Sequence, residues 1–245
     1  MSLTAKLMLS PVLLVQAIAT RVRLPRLPEP EGDRHGVVGR GRPLRLLIAG
    51  DSSAVGVGVS RQDDALAQRL AHRLAHAVPA RVSWQLHARS GLTTAQTLAL
   101  LRDQVPGPRA LAADVAVVVT GVNDVVDQVP SRRAVAAREA LANWLRNGLG
   151  VQQVVFAPLP PVHHFPGLPQ PLRWVAGADA RRHNAALIEW AATRADVSCV
   201  DMEMPLNRGV MASDGFHPGE PVYRYCANAI AQHIATHLWP HLHLS

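Results

Sequence analysis

The 245-residue chain is 48% hydrophobic and 18% charged, enough apolar material for one sizeable folded domain and too much for a disordered tail. Aromatics at 4% and only two cysteines exclude base-stacking RNA modules, disulfide scaffolds and cysteine-rich zinc modules. The formal net charge of +7 gathers at the start, where Lys6, Arg21, Arg23, Arg26, Arg34, Arg40, Arg42 and Arg45 face only Glu29, Glu31 and Asp33; the body is nearly balanced, so no nucleic-acid partner is expected.

In chain order, Leu7 to Ala19 is apolar but too short for an ordinary membrane span. It has the look of a signal peptide with Ala17-Ile18-Ala19 as a cleavage candidate, yet Pro11 interrupts it and the arginines that follow favour the cytoplasmic side. An interfacial helix in peripheral contact with a membrane is a third reading, and a helix packed on the domain's own surface a fourth. The expectation is a cytoplasmic, membrane-associated chain, with periplasmic or secreted placement as the alternative. Residues 24–43, rich in Pro, Gly and Arg, read as an extended linker, so 1–43 precede a domain at 44–245.

Within that domain apolar runs alternate with helical patterns. Leu44–Gly50 is a buried strand, and Leu66, Leu70, Leu74 and Val78 mark one stripe of a helix over 65–78. Strands follow at 82–87, 114–120, 151–157 and 197–201, and helices at 93–104, 173–195 and 221–237. Ser131 reads as the N-cap of a further helix that stops near Gly148. Continuous apolar strands alternating with helices predict a five-stranded parallel sheet covered on both faces, a three-layer α/β/α sandwich of flavodoxin-like type. Such folds collect functional residues at the carboxyl ends of the strands.

Polar clusters fall at those ends: Gly50-Asp51-Ser52-Ser53, Ser90-Gly91, Gly121-Val122-Asn123-Asp124 and Asp214-Gly215-Phe216-His217-Pro218. Together they supply the parts of acyl transfer. Ser52, at a strand-to-helix turn, is the candidate nucleophile and needs a base. His217 is that base, and Asp214, three residues earlier, can hold its imidazole in the right tautomer. The N–H groups of Ser52 and Gly91 and the Asn123 amide are candidate donors to the oxyanion.

This ordered set resembles the SGNH hydrolases, also called GDSL esterases or lipases, from Leu44 to the C-terminus. The resemblance implies a flavodoxin-like serine esterase with Ser52 as nucleophile and first oxyanion donor, Gly91 and Asn123 as the other donors, and His217 backed by Asp214. Ser53 stands where the family name has leucine, a position outside the chemistry.

Each residue has a plainer reading. Ser52 is also a good helix cap, Asn123-Asp124 and Asp214-Gly215 are ordinary turn pairs, and Asp201 is the runner-up acid. Asp124 reads as an acceptor that holds its loop. Gly56-Val57-Gly58 has Arg61 where a dinucleotide loop needs its third glycine, and His72 and His76 lack a third ligand, so no cofactor and no metal are expected. Cys199 and Cys226 read as small core residues. The proline-rich loop 157–173 is a candidate pocket wall, with His163, His164 and Phe165 as candidate substrate contacts. The expected substrate is a small-molecule ester, short-chain in its acyl part, with a lipid-derived substrate favoured mildly by the N-terminus. Thioesterase or lysophospholipase, sugar O-acetylesterase, acyltransferase and a silent membrane-surface module are the alternatives.

Overall fold

The computed structural model describes residues 3–105, 112–204 and 206–243. In chain order the first elements are α1 (Leu3–Arg23), β1 (His35–Gly39), β2 (Arg42–Gly50), α2 (Ser52–Val55), α3 (Leu66–Ala77) and β3 (Ala80–Ala88). Then come α4 (Thr94–Gln104), β4 (Val115–Val119), α5 (Val122–Val126), α6 (Ser131–Leu149) and β5 (Gln153–Phe156). The chain closes with α7 (Leu172–Ala191), β6 (Val197–Cys199) and α8 (Glu220–His233).

Strands β2 to β6 form the expected parallel sheet, in the order β3-β2-β4-β5-β6. Their apolar residues alternate between two buried faces. Leu44, Leu46, Ile48, Val115 and Val117 meet Leu66, Leu70 and Leu74 of α3 and Tyr223, Ala227 and Ile230 of α8. Leu47, Ala49, Ala116, Val118 and Phe156 meet Leu101 of α4, Leu141 and Leu145 of α6 and Leu187 of α7. Burial on both sides is why these strands read as continuous apolar runs.

Two elements depart from the sequence reading. The segment read as a linker contributes β1, which pairs antiparallel with β3 and adds a sixth strand at the sheet edge. It escaped notice because the run is five residues long and contains two glycines; Gly36 packs where a Cβ would lie 2.8 Å from the Trp84 indole nitrogen. Ser131 is the first helical residue of α6 rather than its cap. Pro130 takes the cap position, and the helix runs on to Gly150, whose left-handed φ of 70° ends it. By contrast, Thr93 caps α4 with a full capping box to Gln96.

The helix α1 runs through Pro11 without a break. Among the described residues no helix is long and apolar enough to cross a membrane.

The connections set where a site can form. The α3 crossover leads from β2 to β3 on one side, and the α4 crossover then returns past β2 to β4 on the other. Loops leaving β2 and β4 therefore diverge from adjacent strand ends, which opens a crevice at that switch point. Gly50 closes the two strands together there: a Cβ on it would lie 2.0 Å from the Val119 carbonyl oxygen. Asp51 N–H donates to that same carbonyl at 3.1 Å.

Candidate active site

Beyond Gly50 the chain turns at once into α2. Asp51 caps this short helix, its Oδ1 accepting from Ser53 N–H at 2.9 Å, and so leaves Ser52 as the first helical residue. The capping role considered for Ser52 thus belongs to its neighbour. At this first position the Ser52 N–H has no carbonyl one turn back to donate to.

Ser52 Oγ lies 3.1 Å from His217 Nε2, across 165 positions of sequence. His217 Nδ1 lies 2.6 Å from Asp214 Oδ2. Asp214 Oδ1 also accepts the backbone N–H of Phe216 and of His217, each at 2.9 Å. The Asp214 side chain is almost fully buried and the His217 ring about one-fifth exposed. Burial opposes ionisation of Asp214, but the His217 ring bond and the two backbone N–H bonds outweigh it and hold the carboxyl below its usual range. An ionised Asp214 fixes the proton on Nδ1, and Nε2 then accepts the Ser52 hydroxyl hydrogen. Asp201, the other candidate acid, is exposed beyond β6.

The loops that carry Gly91 and Asn123 touch one another. Asn123 Nδ2 donates to the Leu92 carbonyl at 3.0 Å and lies 3.5 Å from Asp51 Oδ2. One bond thus orients the amide, and the second contact is too long to hold its other N–H. Gly91, one residue before Leu92, has φ +83°, and a Cβ built on it would meet nothing within 4 Å. Glycine is needed there for the backbone angle rather than for room. Asp124 joins the two loops, its Oδ2 accepting from Thr94 Oγ1 at 2.5 Å and its Oδ1 from Thr94 N–H at 3.3 Å.

A partner that sequence reading missed comes from the presumed linker. Glu29 Oε1 accepts both the backbone N–H and the hydroxyl of Ser90, at 2.9 and 2.8 Å, while Arg34 donates to Oε2 at 2.6 Å. Partial burial works against the charge on Glu29, yet the Ser90 and Arg34 hydrogen bonds prevail and lower its pKa. A glutamate between two prolines carries no local signal of a bond made 61 positions away.

An apolar cavity of about 60 Å³ opens beside Ser52 and His217. Phe165 lines it, edge-on to Phe216 with ring centroids 5.2 Å apart. His163 and His164 do not line it. A short 3₁₀ turn over Val162–His164 buries Val162 and points both imidazoles to solvent, where they pack on each other and His163 sits near Arg181. The walls instead include Met202, Met204 and Met211. The Met-Glu-Met spacing after β6 is the signal that would have found two of them. Cys226 lies at the cavity, its thiol pushed up to about 12 by burial. Among the described residues no group of three or more His, Cys, Asp or Glu is placed to hold a metal ion.

A sequence-family model described as the GDSL-like lipase/acylhydrolase family matches residues 48–225. Solved structures with the same fold include the lipase Lip_vut3 from a goat rumen metagenome, 20% identical over 79% of this chain and 97% of that one, with a TM-score of 0.59. A lipolytic protein of the G-D-S-L family from Veillonella parvula is 14% identical, covering 81% and 100%, at 0.60. A carbohydrate esterase family 2 enzyme with a carbohydrate-binding domain, from Corynascus thermopiles, is 16% identical, covering 86% and 68%, at 0.62. At these identities the likeness is one of fold. No curated protein matches the sequence significantly.

The Asp51 side chain itself yields a test. Burial raises its pKa from 3.8 to about 7, against the Ser53 N–H bond and the field of His217, which favour the charged form. The folded state therefore holds this proton more tightly than the unfolded chain, and the associated stability is lost as pH rises from about 4 to about 7. Asp51→Asn keeps a neutral cap and is expected to remove that slope, at most about 1.4 kcal/mol per pH unit. Thermal unfolding of both proteins across this range checks it; parallel curves would refute the assignment.

Proposed function

Because the chain belongs to the GDSL-like lipase/acylhydrolase family, we propose that it is a serine esterase that hydrolyses carboxylic esters of short acyl chains. The observation that carries this reading is the line from Ser52 Oγ through the His217 ring to Asp214, with an apolar cavity at the serine. Ser52 Oγ attacks the ester carbonyl carbon as its proton passes to His217 Nε2. Asp214 stabilises the imidazolium that results. Negative charge on the carbonyl oxygen is met by the N–H groups of Ser52 and Gly91 and by the loosely held N–H of Asn123. Collapse of this intermediate breaks the ester C–O bond, and His217 returns the proton to the departing alkoxide. Water then attacks the acyl-Ser52 carbonyl with His217 as base, releasing the acid and the free serine.

The acyl preference rests on the cavity. At about 60 Å³ the cavity is small, with room for a short acyl group. Longer chains require movement of Met204 and Met211, which unbranched thioethers permit at some cost.

Ser52→Ala is expected to abolish labelling by a fluorophosphonate and to lower kcat on p-nitrophenyl acetate by about 10⁴-fold or more. Equal labelling of both proteins would remove Ser52 as the nucleophile.

A chain-length series should show kcat/KM at its highest for acetyl to butyryl esters and falling at least about tenfold by octanoyl, the scale of one or two poorly accommodated methylenes. A maximum at octanoyl or longer would overturn the short-chain assignment.

Glu29→Ala frees the Ser90-Gly91 turn without touching substrate. Partial misplacement of one oxyanion donor is expected to cut kcat about tenfold, below the 10²–10³ of outright removal, with KM little changed. Steady-state kinetics checks this, and an unchanged kcat would show that the clamp does not position the site.

A further inference from the structure

The helix α1 carries an apolar surface that no described residue covers. Its inward stripe, formed by Leu9, Leu13, Gln16 and Thr20, is partly buried. The opposite side exposes Met8 at 85%, Val22 at 80%, Val15 at 66% and Leu14 at 63%, with Val12 and Ile18 about half exposed. At 3.6 residues per turn these six side chains occupy one arc of about 160°, and Arg21 and Arg23 fall at its two edges. No acidic residue precedes Glu29, and Arg26 adds a further cation just beyond the helix.

Six exposed apolar side chains in one row form a patch that a soluble face seldom carries. The arginines decide among occupants. A second copy of the chain would bring two uncompensated arginine sets to one apolar seam. An anionic bilayer instead accepts the apolar arc among its acyl chains while the long guanidinium side chains reach its phosphates.

The helix is also tied to the loop beside the cavity. Gln16 Nε2 donates to the Gln170 carbonyl at 2.6 Å, and Gln16 Oε1 accepts the Leu172 N–H at 3.0 Å. Trp174, in the first turn of α7, is about half exposed next to this anchor.

We propose that α1 is an interfacial docking helix that seats the enzyme on a membrane surface rich in anionic phospholipid, through Met8, Val12, Leu14, Val15, Ile18 and Val22, with Arg21 and Arg23 on the headgroups. The inference does not depend on the catalytic assignment.

The test uses the full-length protein and flotation with vesicles of pure phosphatidylcholine or of phosphatidylcholine with 30 mol% phosphatidylglycerol. Binding to the anionic vesicles is expected to exceed binding to the neutral ones by at least about tenfold and to weaken at 0.5 M salt. Val15→Asp with Ile18→Asp is expected to lower anionic-vesicle binding by at least about tenfold, and Arg21→Glu with Arg23→Glu to abolish the preference for phosphatidylglycerol. Both changes fall on exposed positions, so the circular dichroism melt and p-nitrophenyl acetate turnover in solution should stay as in the wild type. Equal binding by the Val15/Ile18 variant, or no flotation of the wild type, overturns the proposal. So does a lipid-free dimer that this variant dissociates, which would assign the face to a second copy. A mature chain beginning at Thr20 in the native host would overturn it as well.

Discussion

The close approach of β2 and β4 at Gly50 is the constraint on which the site depends. With no side chain at that position, the two strands meet at their carboxyl ends and their outgoing loops start from nearly the same point. One loop carries Ser52 and the other Asn123, so the candidate nucleophile and the candidate amide donor start from neighbouring strand ends. A methyl group at residue 50 would push against main chain, which cannot yield as a flexible side chain can. The remaining pieces, the Gly91 turn and the Asp214–His217 loop, are brought to this fixed pair by longer connections.

Those longer connections are held by carboxylates, each in a different way. Asp214 gathers one ring N–H and two backbone N–H groups and fixes an imidazole. Asp124 ties the start of α5 to the start of α4 through Thr94. Glu29 reaches from an extended segment to Ser90. Asp51 is fully buried, and burial outweighs the field of His217 so that it keeps its proton to about neutral pH. Four acids on one rim thus do four jobs, set by how many donors surround each and how far each is from water.

What the sequence made legible follows from range. Strands buried on both faces announce themselves by composition alone, and β2 and β4 were readable to within a residue or two. The strand-end clusters were readable because topology brings such ends to one edge, and the spacing of Asp214 to His217 is local enough to read as one loop. Three things were not readable. β1 is short, glycine-bracketed and paired only at an edge, so its apolar content is too small to stand out. Glu29 acts through a contact whose partner lies in another element. The orientation of His163 and His164 depends on one turn of 3₁₀ helix that rotates Val162 inward, and neighbouring residues in such a turn exchange faces with a small change in pitch.

The span of 165 residues between Ser52 and His217 has a consequence for synthesis. The ribosome delivers the hydroxyl well before the imidazole, while the buried Tyr223 hydroxyl, which donates to the Val57 carbonyl at 2.6 Å, fastens the loop that follows Ser52 later still. Until the segment carrying His217 has been made, Ser52 stands without the imidazole it pairs with.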